Sequence, residues 1–173
     1  RTKYKTSFYY NINEEKDKKH DRIIFDLSNN QKLIYNDIRK FGFIKFIKQV
    51  NLEQNTHLKY LGPEPLSNKF NFEYFKNYIK RRERTIKDLL MDQKFISGLG
   101  NIYVNEILFF SGIRPSKKIK KITNFEIQKI IKFSKKIISK AIVLGGSSIK
   151  DFSSSSGKKG SFQQHFSVYG KKG

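Results

Sequence analysis

The sequence predicts an α+β fold in which the remainder of a β sheet is followed by a helical half. Three observations predict it. Residues 1 to 50 hold short runs rich in aromatic and β-branched side chains, each of strand length. Residues 69 to 146 hold apolar residues at helical spacing, set between capping residues and glycine stops. Between them, residues 51 to 68 form a linker whose Leu61 to Ser67 stretch, LGPEPLS, carries two of the three prolines and is stiff and extended.

In the β part, strands are expected at Tyr4 to Tyr10, Arg22 to Leu27, Lys32 to Tyr35 and Phe43 to Ile47. Asn29-Asn30 supplies a turn between the second and third, and Asn36-Asp37 marks another. Lys16 to Asp21 is a charged connector. With no visible start, these strands read as part of a sheet, and the chain, which begins at Arg1, as a piece of a longer protein.

In the helical part, Asn71 caps a helix with Phe72, Phe75, Tyr78 and Ile79 on one face. That helix runs into Lys80, Arg81, Arg82 and Arg84, which are either a solvated face or a set of phosphate contacts. Leu89, Leu90 and Met91 end a second apolar helix. Gly98 and Gly100 then fall where a chain reversal needs positive φ or close backbone approach, and Asn101 is expected to N-cap a third helix carrying Ile102, Tyr103, Ile107, Leu108 and Phe110. Such a helix start is a ready phosphate site, although on the turn alone a tight turn in a helical core is the commoner case. Thr123 to Glu126 has capping-box spacing and opens a long helix with Ile127, Ile130, Ile131, Ile138 and Ala141 on one face. Gly145-Gly146 ends it. Ser153 to Ser161, with Lys158 and Lys159 at its tip, reads as a linker or as a mobile lid.

Composition narrows the function. Lys and Arg number 36 against 15 Asp and Glu, a formal net charge of +21. That balance fits a polyanionic partner better than a small metabolite. Isoleucine, asparagine and phenylalanine are also abundant, so coding bias accounts for some lysines, but not for the scarcity of acids. The chain has no cysteine, which excludes disulfides and Cys-ligated zinc within these residues. No apolar run reaches the ~18–20 residues that span a bilayer.

The stretch Met91 to Pro115, MDQKFISGLGNIYVNEILFFSGIRP, resembles the helix–two-turn–helix signature of bacterial formamidopyrimidine-DNA glycosylases. Lys19 to Asp21 (KHD), Tyr35 to Gly42 (YNDIRKFG), Leu61 to Ser67, Gly145 to Phe152 (GGSSIKDF) and Gly157 to Gly173 resemble further segments of that family in the right order, so the resemblance covers essentially the whole chain. It implies a partial N-terminal β-sandwich over residues 1–50, the linker 51–68, and a helix–two-turn–helix DNA-binding domain over 69–173 with a lesion-capping loop at about 147–166. It implies base-excision repair by a DNA glycosylase and AP lyase acting on 8-oxoguanine and formamidopyrimidines, through a Schiff base and β,δ-elimination. The family's nucleophile, an N-terminal proline amine beside a glutamate, would precede Arg1, and its four-Cys zinc ribbon would follow Gly173. No catalytic residue and no metal ligand is therefore expected in this chain, which alone is expected to be inactive, with one zinc ion in the full-length protein. The implied partner is damaged double-stranded DNA, bound by a monomer in the bacterial cytoplasm with no membrane association.

By the same resemblance, His20, Arg39, Arg82, Lys87 and Asn101 are DNA-binding residues. Arg39 and Phe41 are the wedge that fills the helix when a base is flipped; read from its residue type alone, Phe41 is also a candidate core strand residue. Ser155, Ser156, Gly157, Lys158 and Tyr169 belong to the lesion-capping loop. Departures from the family pattern fall at Ile38 (a proline in the family), Lys40 (an arginine), and Lys159 and Ser161 (a proline and an aromatic), and they bear on base preference. Endonuclease VIII-type glycosylases for oxidised pyrimidines, a non-catalytic helix–two-turn–helix nucleic-acid-binding protein, and a degenerate gene fragment are the competing readings. The wedge and the long loop favour the purine branch, and the β segment speaks against a simple binding module. An in-frame Met-Pro-Glu upstream would set the fragment reading aside.

Overall fold

The computed structural model describes residues 6–10, 18–38, 40–51, 54–55, 58–80, 82–147 and 160–171. The chain forms two compact units, Arg1–Phe46 with Leu144–Gln164, and Ile47–Val143 with His165–Gly173. Residues 144–164 thus group with the strands, a boundary that composition does not mark.

The first unit is built on an antiparallel sheet of β1 (Thr6–Tyr10), β2 (Asp21–Asp26) and β3 (Lys32–Asp37), in the order β1-β3-β2. β3 is central, pairing Thr6 with Asp37 on one side and Asp26 with Lys32 on the other. A central strand has neighbours along both edges, and Ile34 to Asp37 are buried in succession. The Asn29-Asn30 turn forms as expected. The Leu27 N–H donates to the Gln31 carbonyl (2.9 Å), and Asn30 takes φ +59°, the left-handed region in which asparagine is tolerated.

Two expectations fail here. Asn36 and Asp37 are not a turn but the end of β3, and the Asn36 amide donates to Asp21 Oδ1 (2.8 Å) across the sheet. Phe43 to Ile47 forms no strand. Residues 40–48 lack regular structure, and Phe41, Phe43, Ile44 and Phe46 are exposed. Strand preference reports packing against neighbours, and no strand among the described residues offers this segment a ladder.

The second unit holds α1 (Phe72–Ile79), α2 (Ile86–Met91), α3 (Asn101–Ser111) and α4 (Asn124–Val143). Asn71 caps α1, its Oδ1 accepting the Tyr74 N–H at 2.9 Å. Thr123 and Glu126 form the capping box of α4: each side chain accepts the other's backbone N–H, at 3.2 and 2.9 Å. Gly112 ends α3 at φ +70°, and Gly145 and Gly146, at +70° and +79°, follow α4. The buried line of α4 is Ile127, Ile130, Ser134, Ile137 and Ala141, so Ile137 takes the core position expected of Ile138, and Ile131 stays half-buried. This line packs along α3, whose Val104, Ile107 and Leu108 are buried. In the same unit, Phe70, Phe75 and Phe95 meet edge to face or tilted at 5.0 to 6.3 Å between ring centres.

Candidate nucleic-acid interface

The segment between α2 and α3 is held by its own polar side chains. Gln93 spans it: Oε1 accepts the Gly98 N–H (2.8 Å) and Nε2 donates to the Leu99 carbonyl (2.7 Å). Asp92 accepts the Lys94 N–H at one oxygen (2.9 Å) and the Arg84 guanidinium at the other (2.6 Å). Burial alone would raise the Asp92 carboxyl, but the Lys94 N–H and Arg84 outweigh it and hold it below its ordinary value. Phe95 is buried, and its carbonyl accepts the Tyr74 hydroxyl (2.8 Å).

The proline segment braces the same turn from outside. Gly62 N–H donates to the Gln93 carbonyl (2.8 Å) and Ser97 N–H to the Pro63 carbonyl (3.1 Å). A Cβ at Gly62 would run into the Phe95 backbone, so only glycine allows this approach. LGPEPLS, expected as part of a linker, lies within the second unit and is part of the site's scaffold.

Of the two turn glycines, Gly98 has the expected positive φ, +82°, whereas Gly100 is extended at φ −115°. Gly100, not Asn101, is the N-cap of α3. An N-cap occupies extended backbone, and Asn101 is already helical, with its Oδ1 turned to the Asn105 amide at 3.5 Å. The first intrahelical bond runs from Val104 N–H to the Gly100 carbonyl (3.0 Å), and Gly100 has no side chain with which to cap the N–H groups of the first helical turn. An exposed helix start of this kind carries donors and partial positive charge, which suits an anion.

The basic run divides by role. Arg84 pairs with Asp92, both side chains being part-buried. Arg82 is exposed, its guanidinium 3.9 Å from the Tyr78 ring centre, and that ring lies 4.7 Å from Phe95 in the turn. Lys87 is half-buried in the first turn of α2, its backbone N–H donating to the Pro115 carbonyl (3.2 Å). Arg82, Lys87 and Asn101 all belong to the second unit, as does Tyr169. Tyr169 lies beyond the expected 147–166 loop: its N–H, with those of Ser167 and Val168, donates to the Glu106 carboxylate on α3 at 2.8 to 3.0 Å.

His20 and Phe41 belong to the first unit. His20 ends a short 3-10 turn before β2, and its Nδ1 lies 3.4 Å from the Arg22 guanidinium. Phe41 is 76% exposed and lies in no strand. The loop that bears it is tied to Asp37, for which the sequence predicts only a turn. Burial, together with the adjacent Asp37 carboxylate, pushes the Tyr35 phenol above its ordinary value, so it remains a donor. Arg39, Ser155, Ser156, Gly157 and Lys158 lie outside the described residues. The ends of the long loop are described: Ser147 bridges Ser161, and Gly160 packs against the Gly145 and Gly146 backbone with no room for a Cβ.

The zinc that the resemblance implies finds no ligand set here. The chain has no cysteine, and among the described residues no three His, Asp or Glu side chains gather as a metal site. No helix among them is long and apolar enough to cross a membrane.

Comparison with known proteins bears on this geometry. A family model described as the formamidopyrimidine-DNA glycosylase H2TH (helix–two-turn–helix) domain matches residues 61–153. The formamidopyrimidine-DNA glycosylase of Rickettsia massiliae is 44% identical over 158 residues, which are 91% of this chain and 56% of the relative. That of Roseobacter denitrificans is 38% identical over 155 residues, 90% of this chain and 55% of the relative. Among solved structures, the MutM (Fpg) protein of Thermus thermophilus matches with a TM-score of 0.84 at 30% identity, covering 97% of this chain and 62% of that one. Lactococcus lactis Fpg in complex with DNA containing an abasic site matches with a TM-score of 0.86 at 33% identity, covering 97% and 61%. The chain spans little more than half the length of the curated relatives it matches. The braced turn, its positive-φ glycine and the helix that follows all fall within the matched residues, which make up more than half of the 173, and the chain belongs to the formamidopyrimidine-DNA glycosylase H2TH family.

Proposed function

We propose that this chain is the DNA-holding part of a base-excision repair glycosylase and AP lyase that removes oxidised purines, 8-oxoguanine and formamidopyrimidines among them. The observation that carries the reading is the turn braced by Gln93, which delivers an α3 start without a side-chain cap, inside the residues the family model matches. The N–H groups of α3 and Asn101 hold one phosphate of the damaged strand, while Arg82 and Lys87 add charge along the backbone. Binding is accordingly salt-sensitive, in keeping with the net charge of +21.

Phe41, together with Arg39, enters the stack as the damaged base leaves, replacing part of the stacking that extrusion costs. The loop at about 147–166, with Ser155, Ser156, Gly157 and Lys158, covers the extruded purine, and Tyr169 stands at its α3-anchored border. His20 contributes a further contact to the DNA. An amine outside these residues, the N-terminal proline of the resemblance, bonds to C1′ and displaces the base, leaving a Schiff base. Elimination at the 3′ and then the 5′ phosphate cuts the strand. The protein acts as a monomer in the bacterial cytoplasm. Its single zinc ion is held by residues other than these, and no step above runs through it.

Strand cleavage by the full-length gene product tests this reading. Duplexes carrying 8-oxoguanine opposite cytosine are expected to be nicked. Cleavage confined to dihydrouracil duplexes would move the protein to the pyrimidine branch. Salt-sensitive binding with no cleavage of either would make it a binding module.

A further inference from the structure

Residues 40–42, shortly after β3, have no regular structure, and a buried carboxylate holds them. Asp37 is 1% exposed. Its Oδ1 accepts the Lys40 N–H at 3.0 Å and its Oδ2 the Gly42 N–H at 2.8 Å, so the residues before and after Phe41 are both tied to one side chain. The Tyr35 hydroxyl donates to the same Oδ2 at 3.3 Å, and Arg22 Nε donates to the Asp37 carbonyl at 3.0 Å. Lys40 sits at φ +56°, a conformation an L-residue adopts at a cost and keeps only where its surroundings enforce it. Gly42 has no space for a Cβ, which would fall on the Tyr35 hydroxyl. Phe41 stands exposed between these fixed points.

The chemistry of the acceptor matters. A carboxylate offers two oxygens to two N–H donors, whereas an amide offers one oxygen and turns an NH2 towards the other donor. An exposed aromatic can replace a base in the stack only if its loop does not fold away under load, and ordering the loop beforehand removes that entropy cost from the extrusion step.

We propose that Asp37 is a positioning residue for base extrusion, its carboxylate fixing residues 40–42 so that Phe41 is presented to the stack in one conformation. This rests on the reading of Phe41 as the wedge. The test uses the full-length gene product and its Asp37→Asn, Phe41→Ala and double variants. A duplex with 2-aminopurine beside 8-oxoguanine reports unstacking by fluorescence, excision is followed in single turnovers, and nicking of a preformed abasic site serves as the step with no base to extrude. Asp37→Asn is expected to slow the fluorescence rise and excision about tenfold, the loss of one charge-assisted hydrogen bond. Abasic-site nicking should change less than about twofold, and the double variant should be no slower than Phe41→Ala alone, because the two act as one unit.

Equal losses on abasic and base-containing duplexes, or losses that add in the double variant, would overturn the positioning role. So would wild-type behaviour of Asp37→Asn beside a slow Phe41→Ala. A wild-type Phe41→Ala would overturn the wedge reading itself, and this proposal with it. If Asp37→Asn has no thermal transition, Tyr35→Phe carries the test, since it removes one donor to the same oxygen and leaves the charge in place. It is expected to slow unstacking about threefold, and an unchanged rate would overturn the proposal.

Discussion

Glu106 is 1% exposed, yet its carboxylate accepts three consecutive backbone N–H groups, from Ser167, Val168 and Tyr169. A buried carboxylate is costly unless such donors surround it, and here they fasten the segment that carries Tyr169 to α3. Glu106→Gln leaves one acceptor for three donors and is expected to cost about 2 kcal/mol in urea denaturation. Gly160 poses a steric problem: a Cβ there would overlap the Gly145 and Gly146 carbonyls, which are backbone and cannot rotate away. Gly160→Ala is expected to destabilise by about 3 kcal/mol, read as a lowered thermal midpoint, while Gly98→Ala meets no atom but suffers from its positive φ. Residues whose partners are close in sequence are legible from sequence alone, as with Asn71 and Tyr74 or Thr123 and Glu126. Glu106 reaches 61 to 63 residues along the chain, and no local pattern announces that contact. Gln93 and Asp37 bind backbone five residues on, but within irregular loops where no repeat exposes the pairing.

At the scale of elements, the caps set where helices begin. Asn71→Ala removes the acceptor of the Tyr74 N–H, and Thr123→Ala removes half of a reciprocal pair. Each is expected to cost about 1 kcal/mol, measured by chemical denaturation, with Asn71→Ser near wild type. The helices are readable because caps, glycine stops and a 3.6-residue period agree with one another. The cap of α3 lies one residue earlier than the sequence suggests, because asparagine is the commoner cap and a glycine in extended backbone leaves no sequence mark. The β elements are less legible. Phe43 to Ile47 has the composition of a strand, but a strand exists only with a partner to bond, and sequence does not name partners. The proline segment is visible as a breaker, yet its bonds to the turn at Gln93 and Ser97 are not, since these depend on a glycine that fits one backbone against another.

At the scale of the molecule, charge bears on stability at two carboxyls. Burial would raise the Glu126 carboxyl, but bonds from Lys117 and Thr123 outweigh it, and Glu126 lies below its ordinary 4.5, as Asp92 lies below 3.8. A carboxyl with a lowered folded pKa stabilises the fold fully above its unfolded value, and that stabilisation is lost as pH falls through the folded one. The thermal midpoint is therefore expected to fall on acidification below about pH 4.5, and less steeply in Glu126→Gln, which has nothing there to protonate. Net charge points to a polyanion, and the ordered run of motifs points to the family, because the turn, its glycine and the helix after it are contiguous in sequence. The proposed chemistry depends on a covalent intermediate between the protein and the damaged strand. Borohydride trapping on an 8-oxoguanine:cytosine duplex, with the full-length gene product and the 173-residue chain side by side, tests that most directly. A covalent adduct with the full-length protein and none with the chain is the expected result; an adduct formed by the chain alone, or by neither, would contradict it.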